Sequence, residues 1–147
     1  MDNQDLAYIA GFFDGEGCIR IAKSIQYGKK IRPAPSYTLQ CKVTNTNLLV
    51  LEYMQDLFGG SIYLNNKNRK ENHKPCYCWY MYNDVAMDFL VQVKDFLKLK
   101  FTEAEYAIAF QRFNSQYHNN RTRRPSGELA TMDEVYKILK AAKTGGQ

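Results

Sequence analysis

The sequence predicts an α+β fold in which helices pack on one face of an antiparallel sheet. Three observations support this prediction. Residues 17–26 and 37–44 alternate apolar and polar side chains, as half-buried strands do. Each pair of predicted strands follows a predicted helix, which gives the order αββαββα with further helices at the C-terminal end. The length of 147 residues suits one domain with a sizeable core.

The first half of the chain contains the clearer elements. Residues 6–14 are apolar at helical spacing and predict a short helix. The strand at 17–26 follows, then a loop at 27–36 broken by Pro33 and Pro35, then the strand at 37–44. Asn45 or Thr46 is the expected N-cap of a second helix, which should stop at the pair Gly59-Gly60.

The second half repeats this order of elements. A strand pair is predicted at 61–65 and 76–82, joined by the polar loop 66–75, and Asn83 is the expected cap of a helix that runs to residue 96. The aromatic run in 76–82 breaks the alternation, so the sequence does not assign its faces. Capping boxes at Thr102-x-x-Glu105 and Thr131-x-x-Glu134 predict two more helices.

The domain organisation follows from these elements. We expect residues 1–147 to form a single domain. Its core should comprise about residues 5–114, because 114–127 is a polar, basic stretch typical of a linker. Residues 115–147 should then form a C-terminal linker and helix.

The basic residues are concentrated in the predicted strand pairs, although the net charge is only +5. Residues 17–51 contain six bases and no acid, and residues 60–82 contain four bases and one acid. Segregation of this kind favours a surface that meets a polyanion. DNA, RNA and anionic lipid all remain compatible with the charge, as does a basic surface without a partner.

Several classes of protein are not favoured. No apolar run approaches the roughly 18 residues that span a bilayer, and the first five residues are polar, unlike a signal peptide. We therefore expect an intracellular protein without a membrane partner. Cys76 and Cys78 lie near His73, but no second ligand pair follows at zinc-like spacing. We expect all four cysteines to be reduced thiols.

Residues 6–19 contain candidate functional residues of two kinds, small residues for helix pairing and two carboxylates. The small residues Ala7, Gly11 and Gly15 are four apart and give a helix a flat face, on which a second such helix can approach closely. Asp14 and Glu16 then lie at the helix C-terminus, where the macrodipole disfavours acids, so another group must hold Asp14 there. An ordinary helix-stop turn with solvated acids is the alternative interpretation.

The segment Ile9-Ala10-Gly11-Phe12-Phe13-Asp14-Gly15-Glu16-Gly17 resembles the LAGLIDADG motif of homing endonucleases. The motif occurs once in this sequence, and in this respect the chain resembles the homodimeric branch of that family. The resemblance implies an αββαββα fold whose antiparallel sheet forms a DNA-binding saddle. The resemblance implies that Glu16 and the carbonyl of Gly15 bind a divalent metal, usually Mg²⁺. It implies that Asp14 fixes the helix end and joins Ala7 and Gly11 in the dimer interface.

Two further positions resemble family landmarks. Lys100, in Phe96-Leu97-Lys98-Leu99-Lys100, matches a lysine that reaches the active site; a solvated lysine is the alternative. Asn45 matches an amide that positions the attacking water; a plain N-cap is the alternative. Leu49 departs from the family pattern, because some relatives have a basic residue there.

The strand faces opposite the apolar residues give the expected DNA surface. Arg, Lys, Gln and Asn pair with major-groove base edges, whereas loop lysines and arginines suit phosphates. The expected DNA-binding residues are Arg20, Ser24, Gln26, Lys29, Lys30, Arg32, Thr38, Gln40, Lys42, Tyr63 and Asn65.

Together these features predict an intron-encoded homing endonuclease that hydrolyses phosphodiester bonds. It should cut a long near-palindromic site in double-stranded DNA as a Mg²⁺-dependent homodimer. An intron RNA maturase and a non-cleaving DNA-binding protein of the same fold are the alternatives. The expected location is a bacterial or phage-infected cytoplasm, or an organelle.

Overall fold

The computed structural model describes residues 1–25, 35–65, 73–118 and 126–144. Helices and strands follow in the predicted αββαββα order, and two helices complete the chain. The elements are α1 (Asn3–Glu16), β1 (Gly17–Ile25), β2 (Pro35–Asn45), α2 (Leu48–Phe58), β3 (Ser61–Leu64), β4 (Tyr77–Tyr82), α3 (Asn83–Val93), a 3-10 turn (Lys94–Phe96), α4 (Phe101–His118) and α5 (Ser126–Thr144).

The four strands form one antiparallel sheet in the order β1-β2-β4-β3. The register places Gly17 opposite Val43, Val43 opposite Trp79, and Trp79 opposite Ile62. Residues directly opposite in an antiparallel pair share a face. The sheet therefore has a continuous inner face and a continuous outer face, and the predicted α+β class is confirmed.

The inner face carries the hydrophobic core. Ile19, Leu39, Cys41, Val43 and Trp79 are completely buried, as the alternation in 17–26 and 37–44 predicts. Phe89 of α3 joins the helices to this face. Its ring makes edge contacts with the rings of Phe13, Phe58 and Trp79, at 4.9–5.6 Å between centroids. Aromatic pairs in this arrangement stabilise a core beyond their buried area.

The sequence does not assign the residues of β4 to the two faces of the sheet, and the strand register does. Trp79 and Met81 lie on the inner face, whereas Cys78, Tyr80 and Tyr82 lie opposite outer-face residues of β2. The Trp79 indole Nε1 donates to the carbonyl of Gly59 at 2.8 Å. Gly60 has φ +87°, and a Cβ there would collide with the Tyr80 carbonyl. The predicted Gly59-Gly60 stop therefore requires glycine at residue 60.

The predicted helix caps are wrong at several places. Asn47, not Asn45 or Thr46, caps α2, because its side chain accepts from the N–H of Leu49. Asn83 is the first residue of α3, with φ +48°, and the preceding Tyr82 makes no side-chain cap. Polar residues next to a helix start are interchangeable by composition, so local geometry decides which one caps.

Both predicted capping boxes also miss the true helix starts. α4 begins at Phe101, so Thr102 lies inside the first turn. α5 begins at Ser126, and Thr131 lies in its second turn, where its hydroxyl donates to the carbonyl of Gly127 at 3.3 Å. α4 continues to His118, which extends it five residues into the predicted linker at 114–127. Residues 119–125 of that linker lie outside the described residues.

The C-terminal helix is part of the same core. Met132 and Leu139 of α5 are 1% and 2% exposed and pack within the hydrophobic cluster of the sheet. α5 lies beside β1, the edge strand, and against α4. None of the helices in the described ranges is long and apolar enough to cross a membrane.

Candidate active site

The motif helix α1 has one buried and one exposed side. Asp2 and Asp5 form a capping box at its N-terminus. Ile9, Ala10 and Phe13 are fully buried against the core. Ala7, Gly11 and Gly15 lie on the exposed side, as the small-residue spacing predicts, and a Cβ added at Gly11 or Gly15 would meet only open space. The exposed side is therefore open at Gly11 and Gly15 within the described chain.

Asp14 is buried at the C-terminal end of α1 and is held by three backbone amides. Its Oδ2 accepts from the N–H groups of Lys98 and Leu99 at 2.6 and 3.1 Å, and its Oδ1 accepts from Lys100 N–H at 3.1 Å. Burial raises the pKa of Asp14, but these three hydrogen bonds outweigh it and leave the pKa below its ordinary value. The carboxylate thus fastens the segment before α4 to the end of α1.

Lys100 is fixed at the same place. Its Nζ donates to the backbone carbonyl of Asp14. The last four carbonyls of a helix lack intrahelical partners, and a lysine there also matches the negative end of the helix dipole. The structure therefore brings the Lys100 ammonium to Asp14, the residue preceding Gly15, although Lys100 and Asp14 are 86 residues apart in the chain.

Glu16 and Gly15 are exposed at the last turn of α1. Gly17 follows at once as the first residue of β1. A Cβ at Gly17 would collide with the ring and carbonyl of Phe13, so only glycine permits this abrupt passage from helix to strand. Glu16 therefore stands at the junction of helix and sheet, with its side chain open to solvent.

Asn45 ends β2 at the same edge of the sheet, because Gly17 pairs with Val43 two residues earlier. Its side-chain Oδ1 accepts the N–H of Asn47 at 2.8 Å, an Asx-type turn rather than the expected N-cap. Leu49 in the first turn of α2 is 75% exposed. The position where some relatives have a basic residue is therefore occupied here by an exposed apolar side chain.

The outer face of the sheet carries the polar residues expected to read DNA. The register sets Cys18 beside Lys42, one position from Gly17 along β1, and Arg20 beside Gln40, three positions from Gly17. Ala22 beside Thr38 and Ser24 beside Ser36 follow towards the far end.

The other half of the outer face is aromatic. On β4, Tyr82 lies opposite Gln40 and Tyr80 lies opposite Lys42. On β3, Tyr63 lies opposite Cys78, which in turn lies opposite Thr44. Tyr63 is 55% exposed, and Asn65 just beyond β3 is exposed, with its N–H bonded to the carbonyl of Cys76 at 2.7 Å. Gln26, Lys29, Lys30 and Arg32, expected at the hairpin tip, lie outside the described residues.

Metal ligands of the usual clustered kind are not found in the described part of the chain. No group of three or more His, Cys, Asp or Glu side chains there could hold a metal ion. None of the four cysteines forms a disulfide bond. A metal at Glu16 would therefore need main-chain carbonyls, water or a ligand's own oxygens to complete its shell.

A family model of LAGLIDADG endonucleases matches residues 9–117, which include the C-terminal part of the motif helix α1, the whole sheet and most of α4. The chain belongs to the LAGLIDADG endonuclease family. The match also covers Lys100, Asn45 and the outer sheet face.

Solved LAGLIDADG structures share the fold at low sequence identity. The homing endonuclease I-CvuI, in complex with its target, is 16% identical with a TM-score of 0.62, covering 93% of this chain and 95% of that one. The archaeal intron-encoded I-Vdi141I, complexed with DNA, is 16% identical with a TM-score of 0.62, covering 99% and 100%. I-LtrWI, bound to target DNA, is 13% identical with a TM-score of 0.70, and this chain covers only 44% of it.

A curated relative gives a different kind of information. The intron-encoded RNA maturase bI4 of Saccharomyces cerevisiae is 34% identical over 89 residues. The match covers 54% of this chain but only 12% of the maturase. This chain therefore corresponds to a small part of that protein.

Sequence reasoning missed one polar cluster. Lys23 points to the inner side at the edge of the sheet, where its Nζ lies 2.5 Å from Asp133 Oδ1 of α5, and Tyr37 donates to the same oxygen at 3.0 Å. Lys137 pairs with the other carboxylate oxygen at 2.9 Å. Lys23, then Lys137 and Tyr37, hold the pKa of Asp133 well below its usual range. The sequence contained one signal for this cluster, because Lys23 interrupts the apolar alternation of β1.

Proposed function

We propose that this protein is a site-specific double-strand DNA endonuclease that acts as a homodimer with a divalent metal. The observation that carries the proposal is the end of α1. There an exposed Glu16 follows the anchored Asp14, and Lys100 is bonded to the Asp14 carbonyl. This end borders an outer sheet face with Arg20, Gln40 and Lys42.

The residues present fit Mg²⁺. Glu16 offers a carboxylate, and Gly15 offers a carbonyl at a helix terminus, whose partial negative charge favours a cation. Oxygen donors of this kind suit Mg²⁺, which is held by one or two carboxylates and otherwise keeps water and phosphate oxygens. When bound there, Mg²⁺ would lower the pKa of a water and stabilise charge on the phosphate.

The chain's own residues then have separable tasks. Glu16 and Gly15 hold the metal, and Asp14 fixes the helix end that carries both. Lys100 places a positive charge beside the scissile phosphate, where it stabilises the developing negative charge. Asn45, at the same sheet edge, keeps its amide NH₂ free of the turn that its oxygen makes, and we propose that it orients the attacking water.

The outer sheet face is the proposed DNA surface. Arg20, Gln40 and Lys42 supply base-edge donors and acceptors near the metal end, whereas Ser24 and Thr38 act further out. Tyr63 and Asn65 extend the surface across β3. We propose phosphate contacts for Lys29, Lys30 and Arg32, which are expected near the hairpin tip, and an outer base-edge contact for Gln26.

Two copies of the chain are needed to cut both strands. One chain supplies one Glu16, so a twofold dimer is the simplest assembly that brings two of them to one duplex. The exposed, open side of α1 at Ala7, Gly11 and Gly15 supports pairing through this helix. Leu99, beside Asp14 and 77% exposed, adds an apolar surface at the same end.

The decisive experiment is Glu16→Gln, which keeps the side-chain size but removes its charge. Its substrate is selected first, by incubating the unaltered protein with a randomised duplex library and Mg²⁺ and sequencing the cut products. Glu16→Gln should cut the selected site slower by about a hundredfold or more, a loss typical of a missing catalytic electrostatic group. Specific binding to that site should survive, and Ca²⁺ should support binding with little cutting.

Glu52→Gln on the exposed surface of α2 is the matched control and should cut at the normal rate. Equal cutting by Glu16→Gln and the unaltered protein would refute the catalytic assignment. The similarity to the maturase bI4 favours one alternative, an RNA maturase, which would bind intron RNA and cut no duplex. Binding without cutting by the unaltered protein would favour a non-cleaving DNA-binding protein.

A further inference from the structure

The outer face of the sheet carries a strip of three tyrosines, Tyr63, Tyr80 and Tyr82. The rings of Tyr80 and Tyr82 are nearly parallel, with centroids 5.9 Å apart and an interplanar angle of 6°. The rings of Tyr63 and Tyr80 follow at 6.0 Å. The strip thus crosses β4 and β3 without a gap, on the face opposite the hydrophobic core.

The two ends of this tyrosine strip are open to solvent. Tyr63 is 55% exposed and Tyr82 is 42% exposed, whereas Tyr80 between them is half-buried. Burial raises the pKa of Tyr80, and a tyrosine hydroxyl is uncharged at neutral pH even at its ordinary pKa. A contiguous exposed aromatic surface on a folded domain marks a binding site more often than an isolated exposed ring does.

Positive charge lies directly beside the strip. The register puts Lys42 next to Tyr80, and Gln40 next to Tyr82 with Arg20 one strand further. Neighbouring strands are about 4.8 Å apart, so each cation is within one or two strand spacings of a ring. Aromatic rings interleaved with cations suit a ligand that alternates flat bases with phosphates.

We propose that the tyrosine strip is a stacking platform for unpaired nucleotides, with bases on Tyr63 and Tyr82 and phosphates against Arg20 and Lys42. A duplex does not fit this role, because neighbouring bases cover both faces of every base in the helix. Tyrosines that met a duplex could offer only hydroxyls and ring edges. The shared chemistry of the ligand is an unstacked base, from RNA or from a separated DNA strand.

This activity goes beyond cleavage and needs neither metal nor Glu16. It is therefore tested with no divalent ion present, using the full chain. Fluorescence anisotropy measures binding of a labelled ten-nucleotide oligouridine RNA and of the matching oligothymidine DNA. A failure here leaves the endonuclease proposal untouched, and an inactive nuclease leaves this test intact.

The variant pair Tyr82→Leu and Tyr82→Phe separates stacking from hydrogen bonding. Tyr82→Leu should weaken single-strand binding at least about fivefold, the loss expected for one stacked base. Tyr82→Phe keeps the ring and should bind within about twofold of the unaltered protein. Tyr63→Leu, at the other end, should weaken binding as Tyr82→Leu does. Tyr106→Leu on α4 is the control, since Tyr106 is also 42% exposed but lies away from the sheet.

Each outcome decides the proposal. Stronger binding of RNA than of DNA identifies RNA as the source of the unpaired bases, and equal binding identifies any open strand; both support the platform. Undetectable binding of both oligonucleotides overturns the proposal. So does a Tyr82→Phe variant that loses as much as Tyr82→Leu, because the hydroxyl and not the ring would then be the contact.

Discussion

At the scale of single residues, Asp14 shows how opposing electrostatic effects are resolved. A carboxylate at a helix C-terminus is repelled by the macrodipole, and burial adds a desolvation cost. Three backbone N–H groups from residues 98–100 outweigh both effects. The sequence indicated that some group must hold Asp14, but backbone amides have no sequence signature, so the partners could not be read.

We predict that Asp14→Asn destabilises the fold by about 1–3 kcal/mol, because hydrogen bonds to a charged acceptor lose strength when the charge is removed. Urea unfolding at pH 7 measures the change. Asp88→Asn on the exposed surface of α3 is the control and should change stability little.

The folded-state pKa of Asp14 lies below the ordinary 3.8. Its stabilisation is therefore present above that value and is lost as the pH falls through the lowered pKa. The difference in the free energy of unfolding between Asp14→Asn and the unaltered protein should therefore shrink as the pH falls. A difference that does not depend on pH would contradict the charge-based explanation.

At the scale of elements, α5 is attached to the sheet by apolar packing and by one ionic cluster. Met132 and Leu139 enter the core, and Asp133 joins Lys23 of β1 to Lys137 of its own helix. α5 also contacts β1, which is an edge strand of the sheet.

We predict that Asp133→Asn loosens α5 selectively. Without the charge, Lys23 and Lys137 lose their common partner, and amide hydrogens of α5 should exchange faster while those of α3 stay protected. Hydrogen exchange followed by mass spectrometry measures both helices in one experiment. Glu134→Gln, the exposed neighbour on α5, is the matched control. Unchanged exchange in α5 would show that apolar packing alone holds the helix.

The elements also show what the sequence could predict. β1 and β2 follow their alternation because one face meets the core and the other meets solvent. Helix starts were less predictable: Asn45, Thr46 and Asn47 are similar cap candidates, and the turn that Asn45 makes leaves Asn47 as the cap. The placement of Lys100 beside Asp14 followed only from family resemblance, because no local pattern encodes a contact across 86 residues.

At the scale of the whole molecule, the proposed dimer depends on the open side of α1. Gly11→Leu adds a side chain where a Cβ meets nothing within the chain, so the folded monomer should tolerate it. Two helices paired through Gly11 could then no longer approach closely. We predict a monomer by analytical ultracentrifugation and loss of binding to the full site. Gly127→Leu, also in open space, is the control. A monomeric unaltered protein, free and on DNA, would refute pairing.

The dimensions of the sheet predict the length of the proposed DNA site. β1 has nine residues, which at roughly 3.3 Å each span about 30 Å. At about 3.4 Å per base pair, one subunit follows roughly nine base pairs, and a dimer follows roughly 18 to 22. Paired Glu16 residues near the twofold axis would set both cuts at the centre, across the minor groove.

We therefore predict a graded cleavage profile over all single-base variants of the preferred site. Arg20, Gln40 and Lys42 lie nearest Gly17 and should make the inner base pairs the most discriminating, because each good base-edge pair contributes about 1–3 kcal/mol. Ala22, Ser24 and Ser36 are short, so the positions facing them should tolerate substitution. Arg20→Ala should relax specificity at one inner pair in each half-site, whereas Ser24→Ala should leave the profile nearly unchanged. A footprint of only six or eight base pairs, or an asymmetric site cut by one active subunit, would overturn this geometry.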